Sequence, residues 1–322
     1  MFDGFGGVWT PHCLDRDLGR DPRAMSIAGT PVVLFRDGDG RAAALLDRCP
    51  HRGVALSLGK VTDGCLECPF HGWRLDRAGA VRDVPWNPEA KTARLHGTAF
   101  PVLAAGGILW LYTAALGLDA PAAEGPAIAD VFMRPDVRLS AIDVTFKTHW
   151  TRAMENMLDW PHLPYVHGRT IGKGLPSGLG KRMDIELDVQ PWGWRSTIAI
   201  EGEPRPGVLE HRWPNVMVLH IPVRGRTLVM LNACIPIDAS STRMFVVTAR
   251  DFLTSAIFDR FVDRMNRPIL EEDREVVESS HPAEVPRPQD EQSVRTDAPT
   301  LWFRKRYHAV LRRPRHALPV AS

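Results

Sequence analysis

Two short segments constrain this chain more than any other feature: Cys49-Pro50-His51 and, sixteen residues further on, Cys68-Pro69-Phe70-His71. Each offers one thiolate and one imidazole at close spacing beside a turn. Two thiolates and two imidazoles can hold a tetrahedral zinc ion, but zinc fingers pair Cys with Cys and His with His, whereas each loop here supplies one of each. That split suits a cluster of two irons in which one iron takes both sulfurs and the other both nitrogens, because each loop must then reach both metals. Exchanging two anionic sulfurs for neutral nitrogens raises the reduction potential, so such a centre accepts electrons readily. Pro50 and Pro69 restrict the backbone, and Arg52-Gly53 and Gly72-Trp73 let the loops pack close with an aromatic ring over one flank. Cys65 forms Cys-x-x-Cys with Cys68, which leaves a thiol redox motif or another metal pairing open; Cys13 and Cys234 read as ordinary buried thiols.

At 322 residues the chain has room for two domains. Its 40 basic and 38 acidic side chains give a formal charge of +2, which argues against a dedicated nucleic-acid binder. Apolar residues at 44% and charged residues at 24% exclude disordered and fibrous classes. The start, MFDGFGGVWTPHC, lacks a basic flank followed by an apolar core, and five cysteines are an odd number; a reduced, cytoplasmic protein is expected rather than a disulfide framework. Residues 100–118 carry no charge and approach the length of a membrane span. Pro101, Gly106, Gly107 and Gly117 interrupt them, so two strands about a Gly-Gly turn are expected instead.

The first third is punctuated like an all-β domain, with hairpins expected for 32–36 and 43–47 around Asp37–Gly40, and for 73–76 and 80–84 around Ala78-Gly79. An Ala, Pro and Gly-rich stretch over 114–130 reads as a linker. The expected division is residues 1–118, a linker at 119–130, and residues 131–322. In the second part a helix is expected over 151–160, followed by strands at 183–189, 194–200, 216–223, 228–235 and 243–249 and a long helix over about 255–279. Consecutive antiparallel strands followed by a covering helix make an α+β arrangement. The tail from Arg304 (Lys305, Arg306, Arg312, Arg313, Arg315) is basic and is expected to be a solvated end.

A second cluster of ligand types lies in 155–167. Asp159 and His162, three apart, are predicted to share a helix face, with Pro164 ending that helix so that the chain turns and His167 comes back beside His162. Two histidines and one carboxylate form the facial triad of a non-haem Fe(II) site, which leaves positions open for O₂ and substrate. On the long helix, Val262, Met265, Ile269 and Val276 are predicted to form one apolar stripe with Asp273 inside it and Glu272 at its edge; Glu271 and Glu278 face away. A carboxylate in an apolar stripe is costly unless paired or metal-bound, so Asp273 is the candidate third ligand, with Glu272 next. A helix-end salt bridge is the alternative role.

From CPHRG and CPFHGW, through the linker, to Asp159-x-x-His162-x-x-x-x-His167 and EDREVVE at 272–278, nearly the whole chain resembles the catalytic α subunit of Rieske non-haem iron oxygenases, of the short demethylase-like kind. The resemblance implies an N-terminal all-β Rieske domain and a C-terminal helix-grip domain. It implies that Cys49, His51, Cys68 and His71 hold a [2Fe-2S] cluster, and that His162, His167 and Asp273 hold a mononuclear iron. Asp159 matches the family's bridging aspartate between a neighbouring subunit's cluster histidine and an iron histidine, which implies a homotrimer. Electrons would come from NAD(P)H through a separate ferredoxin or flavin reductase, no GxGxxG segment being present. Their docking is expected near Arg48, Arg52, Lys60 and Arg74. The implied chemistry is hydroxylation or O- or N-demethylation of an aromatic or polycyclic small molecule, with aromatic dihydroxylation, a Rieske electron carrier and a zinc-stabilised binding protein as the alternatives. Asn215, Met217, His220 and Asn232 are the candidate substrate-pocket residues.

Overall fold

The computed structural model describes residues 1–116, 125–173, 180–203 and 206–312. Three small antiparallel sheets make up the first part. One orders Arg23–Ile27, Thr30–Arg36, Ala42–Leu46 and Ala99–Phe100; the second orders Lys60–Thr62, Cys65–Glu67, Arg74–Leu75 and Val81–Asp83; the third sets Ile108–Tyr112 between Trp9–Leu14 and Val102–Ala105. The turn at 37–41 closes because Asp37 Oδ1 accepts the N–H groups of Asp39 and Arg41 at 3.0 and 2.9 Å. The uncharged run is the expected hairpin, with Gly106 and Gly107 at φ of 60° and 69°, where a side chain would be strained. Among the described residues no helix is long and apolar enough to cross a membrane.

The second part is one seven-stranded antiparallel sheet in the order Arg138–Phe146, Thr242–Arg250, Leu228–Pro236, Val216–His220, Gly207–Arg212, Gly193–Ile200 and Met183–Gln190. Helix α1 (Trp150–Leu158) packs against the sheet's central strands, and α3 (Asp259–Val277) against its Arg138–Phe146 edge, with the short α2 (Leu163–Val166) beside α3. Asp259 at the start of α3 binds Arg138 and Arg250, and Asn266 Nδ2 donates to Thr248 Oγ1 at 2.8 Å, so polar clamps fix the helix on the sheet. The architecture is the expected α+β combination of an all-β part with a sheet gripping a long helix. One apolar cluster runs from Phe5 and Leu111 of the first part to Trp150, Leu231 and Phe303 of the second, while a separate one surrounds the Cys49 and Cys68 loops. Of the expected linker 119–130, residues 119–124 lie outside the described residues, and Asp130–Met133 forms a single 3₁₀ turn.

Three expectations need correction. The buried face of α3 is Asn266, Leu270, Asp273 and Val277, one position on from the apolar stripe, and Met265 and Val276 are exposed. Polar clamps at Asp259 and Asn266 act with the core residues Leu270 and Val277 to seat this helix one position round from the apolar stripe. Pro268 sits inside α3 without ending it. Asp159 and His162 do not share a helix face: Asp159 is the C-cap of α1, His162 precedes α2, and Pro164 stands in the first turn of α2 rather than ending a helix. Arg304 is not solvated but 6% exposed in α4 (Ala298–Val310), pairing with Glu155 and Glu291, while Arg306 lies over Trp213 and Trp302. Arg313 and Arg315 lie outside the described residues.

Candidate metal centres and adjoining cavity

The two Cys-His loops fold alike. Cys49 N–H donates to the Val54 carbonyl at 2.8 Å and Gly53 N–H returns to the Cys49 carbonyl at 2.9 Å; in the second loop Cys68 N–H donates to Trp73 and Gly72 N–H to Cys68 at 2.8 and 3.0 Å. Both turns require a left-handed residue, met by Gly53 and Gly72 at φ of 74° and 72°. The cysteines point into an apolar cluster with Val33, Phe35, Leu45, Leu66 and Leu75. The imidazoles lie further out, His51 exposed and stacked on Trp73 with parallel rings 4.5 Å apart, and His71 4.8 Å from His51.

Burial, and then the adjoining Cys68 thiol, raise the pKa of Cys49, so two thiolates here call for a cationic partner; slight desolvation, His71 and Arg52 lower that of His51. These four side chains do not converge on one point as a single zinc would require: among the described residues the one group of three or more His, Cys, Asp or Glu with ligand atoms within 4.8 Å of one another is His162, His167 and Asp273. Cysteines inside and histidines outside, spread over a wider span, fit a two-iron cluster. On the surrounding surface Arg48 and Arg52 are exposed, whereas Lys60 and Arg74 are paired with Glu67 at 3.4 and 3.2 Å.

The second cluster is built from α1, α2 and α3. Asp159 Oδ2 accepts from the His162 N–H at 2.9 Å and from His162 Nδ1 at 3.0 Å, which turns Nε2 inward. Glu272 Oε2 does the same for His167, accepting from Nδ1 at 2.9 Å and from the Thr170 hydroxyl at 2.6 Å. Asp273 Oδ1 lies 3.6 Å from His162 Nε2 and 3.1 Å from His167 Nε2, with Asn156 Nδ2 donating to it at 2.8 Å. Because each Nδ1 proton is given to a carboxylate, a neutral imidazole presents a lone pair at Nε2. Two lone pairs then face a carboxylate that is only 2% exposed, an arrangement that repels itself unless a cation lies between. The same preference for positive charge raises the His167 pKa: burial lowers it, but Asp273 and Glu272 together outweigh burial. Two neutral nitrogens and one carboxylate oxygen are the donor set of a facial-triad iron site. Glu272, the second candidate ligand, therefore orients His167.

Beside this triad is a partly open pocket of about 550 Å³, a volume that includes space open to solvent. Met157, Trp160, Leu163 and Ile171 wall one side, Ile269 and Leu270 another, and the sheet contributes Leu209, Met217, Leu219, Met230 and Asn232. Met217 pairs with Asn232 and Leu219 with Met230 across neighbouring strands, so one face of the sheet supplies the floor. Of the four candidate pocket residues the structure brings Met217 and Asn232 to the cavity but not Asn215 or His220. His220 takes the opposite face by strand alternation and binds Glu210 at 3.2 Å; Asn215 precedes the strand and donates to Thr10 Oγ1 at 2.9 Å. Ile269 and Leu270 were legible as the turn of α3 before Asp273, and Leu219 and Met230 from alternation with Met217 and Asn232. Thr170 carried no sequence signal, because its partner Glu272 is 102 residues away.

The cluster loops, the triad and the helix-gripping sheet define an oxygenase component with two metal centres, and the chain belongs to the Rieske non-haem iron oxygenases. Residues 8–97 match the Rieske [2Fe-2S] domain, and residues 214–313 match the vanillate O-demethylase oxygenase C-terminal domain. Among curated relatives, methylxanthine N3-demethylase NdmB of Pseudomonas putida is 28% identical over 92% of this chain and 87% of its own length. Dicamba O-demethylase oxygenase component of Stenotrophomonas maltophilia is 33% identical over 50% of this chain, and chlorophyllide a oxygenase of Chlamydomonas reinhardtii 28% over 82%. Those two alignments span 47% and 41% of the relatives' own lengths. The NdmB structure from Pseudomonas putida CBB5 superposes with a TM-score of 0.77 at 26% identity, covering 94% of this chain and 89% of that one. Dicamba monooxygenase bound to 3,6 dichlorosalicylic acid superposes at 0.78 with 20% identity, covering 95% and 97%, and shows the shared fold.

Proposed function

We propose that the chain hydroxylates, or O- or N-demethylates, an aromatic or polycyclic small molecule bound in the cavity beside His162, His167 and Asp273, with electrons from NAD(P)H delivered by a separate ferredoxin or flavin reductase. Cys49, His51, Cys68 and His71 would hold the [2Fe-2S] cluster, and His162, His167 and Asp273 the mononuclear Fe(II). When bound, these groups supply single electrons and reductive activation of O₂. The observation that carries the reading is an inward-facing triad on the wall of an apolar cavity.

The chain's own residues do the rest. Asp159 and Glu272 hold both imidazoles in one tautomer, Asn156 holds Asp273, and the hydrocarbon walls exclude water from the reacting carbon. Asp159 is also the candidate electron bridge. Its side chain is 26% exposed, and Asp159 borders a second, polar depression lined by Arg152, Glu155 and Arg304. This supports a homotrimer in which the edge formed by exposed His51 and half-buried His71 meets a neighbour's Asp159. A cytoplasmic location and a boundary between the two parts within 119–130 belong to the same reading.

Metal and sulfide analysis tests it. About three irons per chain with acid-labile sulfide are expected; about two would leave an electron carrier, and zinc without sulfide would reject both. Asp273→Ala should lose the mononuclear iron and turnover while keeping Rieske absorbance, and full activity in that variant would reject the ligand assignment.

A further inference from the structure

On its solvent side α3 carries an apolar ridge. Ile257, Phe261 and Met265 stand four residues apart along the start of the helix, with Leu253 just before it, and all four are between 41% and 77% exposed. At about 100° per residue, Arg260, Arg264 and Arg267 line one side of this ridge, and the buried face of Asn266, Leu270 and Asp273 lies opposite. The three arginines are exposed, and their side chains form no hydrogen bond or ion pair with any described residue. The acids of α3 near them are spoken for: Asp259 binds Arg138 and Arg250, Asp263 has its Oδ1 buried, and Glu271 pairs with Arg274. This half of α3 therefore shows large apolar side chains among three unpaired positive charges, on a chain whose formal charge is only +2. Contiguous exposed apolar side chains mark a contact surface. Joined with arginines on one helix side they suit the boundary of an anionic bilayer, where the apolar groups meet acyl chains and the guanidinium groups meet headgroups.

We propose that the 253–267 face of α3 docks reversibly on an anionic membrane surface, with Ile257, Phe261 and Met265 entering the acyl boundary and Arg260, Arg264 and Arg267 pairing with lipid phosphates. Two observations favour lipid over a protein partner. The next member of the ridge, Ile269, lines the pocket beside the triad, so an apolar path leads from this face into the site. The contact between copies proposed above lies at the other end of α3, where Val276 and Val277 border the depression beside Asp159, about 22 Å along the helix from Phe261. Docking would bring the pocket within reach of molecules dissolved in the bilayer, and it stands whether or not the oxygenase reading does.

The test is cosedimentation of the full metal-loaded chain with sucrose-filled vesicles at physiological ionic strength, so that no turnover is needed. One set is phosphatidylcholine alone and the other contains about one third phosphatidylglycerol; binding to the mixed vesicles is expected to be at least ~10-fold tighter. Arg260→Gln/Arg264→Gln/Arg267→Gln should weaken binding to the mixed vesicles about 100-fold, at roughly fivefold per charge. Ile257→Ser/Phe261→Ser should weaken it at least ~10-fold through lost apolar burial. The control Lys91→Gln/Arg94→Gln/Lys147→Gln removes the same charge from other exposed positions and should weaken it less than about threefold. Rieske absorbance and iron content report that each variant is folded. No binding of the wild type to the mixed vesicles, or an equal loss in the control, overturns the inference. Wild-type binding in the serine variant overturns it too, because the contact is then one of charge alone, as with an acidic protein. So does a lower mass of the serine variant in sedimentation equilibrium without vesicles, which would make the ridge a contact between copies of the chain.

Discussion

Replacing Glu272 would separate the orientation of an iron-site imidazole from ligation itself. Glu272 Oε2 accepts from His167 Nδ1 at 2.9 Å and from Thr170 Oγ1 at 2.6 Å, so it fixes both the ring's rotation and the tautomer that leaves Nε2 free. Glu272→Gln keeps an acceptor of the same shape but removes the charge, whereas Glu272→Ala leaves the His167 and Thr170 donors unpaired in a half-buried site. Partners of metal-bound histidines typically contribute ~10 to ~100-fold in affinity, or about 1.4 to 2.7 kcal/mol. The glutamine variant should fall near the lower end and the alanine variant near the upper. Fe(II) binding to metal-stripped protein, titrated against a chelator, measures the change, and Rieske absorbance shows whether the first part remains folded. Wild-type affinity in both variants would refute the orientation argument. Loss of the cluster along with the iron would show that Glu272 supports the fold instead.

Two further outcomes follow from other contacts. Asp159→Asn keeps a group able to accept from His162 but loses the charge; an intact cluster and a bound iron are expected, with cluster reoxidation in the presence of substrate and O₂ slowed at least ~10-fold in stopped-flow measurements. Unchanged reoxidation would count against the bridge. Acid stability should fall in two windows. His211 is fully buried among Trp194, Trp213, Trp302 and Phe303, and burial lowers its pKa to about 4. The unfolded chain binds a proton near 6.5 that the folded one refuses, so stability declines as pH drops from about 6.5 to 4, by roughly 3 kcal/mol in all. Glu210 is held at about 2: burial raises its pKa, but His220 and Arg212 outweigh it, so its contribution is present above about 4.5 and fades from there toward 2. Chemical unfolding of His211→Gln across pH 4 to 6.5 should show a shallower slope than wild type; an identical slope would reject the assignment.

Local spacing carried most of what could be read early. The two Cys-His loops are contiguous, and their turns depend on Gly53 and Gly72 within a few residues, so their conformation is a short-range matter. Hairpins at 30–46 and 102–112 were legible for the same reason. The strand Arg138–Phe146 and helix α4 were not anticipated, because their partners are distant in sequence: Thr242–Arg250 for the strand, and for α4 Glu155, 149 residues from Arg304. The face of α3 was misjudged by one position because Asp259 and Asn266 bind Arg138, Arg250 and Thr248, contacts that no periodicity records.

The sequence by itself thus determined the ligand chemistry: which side chains could bind metal, that each loop offers one sulfur and one nitrogen, and that a carboxylate near residue 273 was needed. Only the tertiary structure decided which carboxylate faces the imidazoles and which one orients them. Glu272 and Asp273 are adjacent, and a helix turns about 100° between them. That rotation sends Asp273 toward both Nε2 atoms and Glu272 toward His167 Nδ1 and Thr170. The structure likewise decided that Asn232 lines the cavity while His220 does not, since strand alternation assigns faces only once the sheet has a side on which a cavity lies.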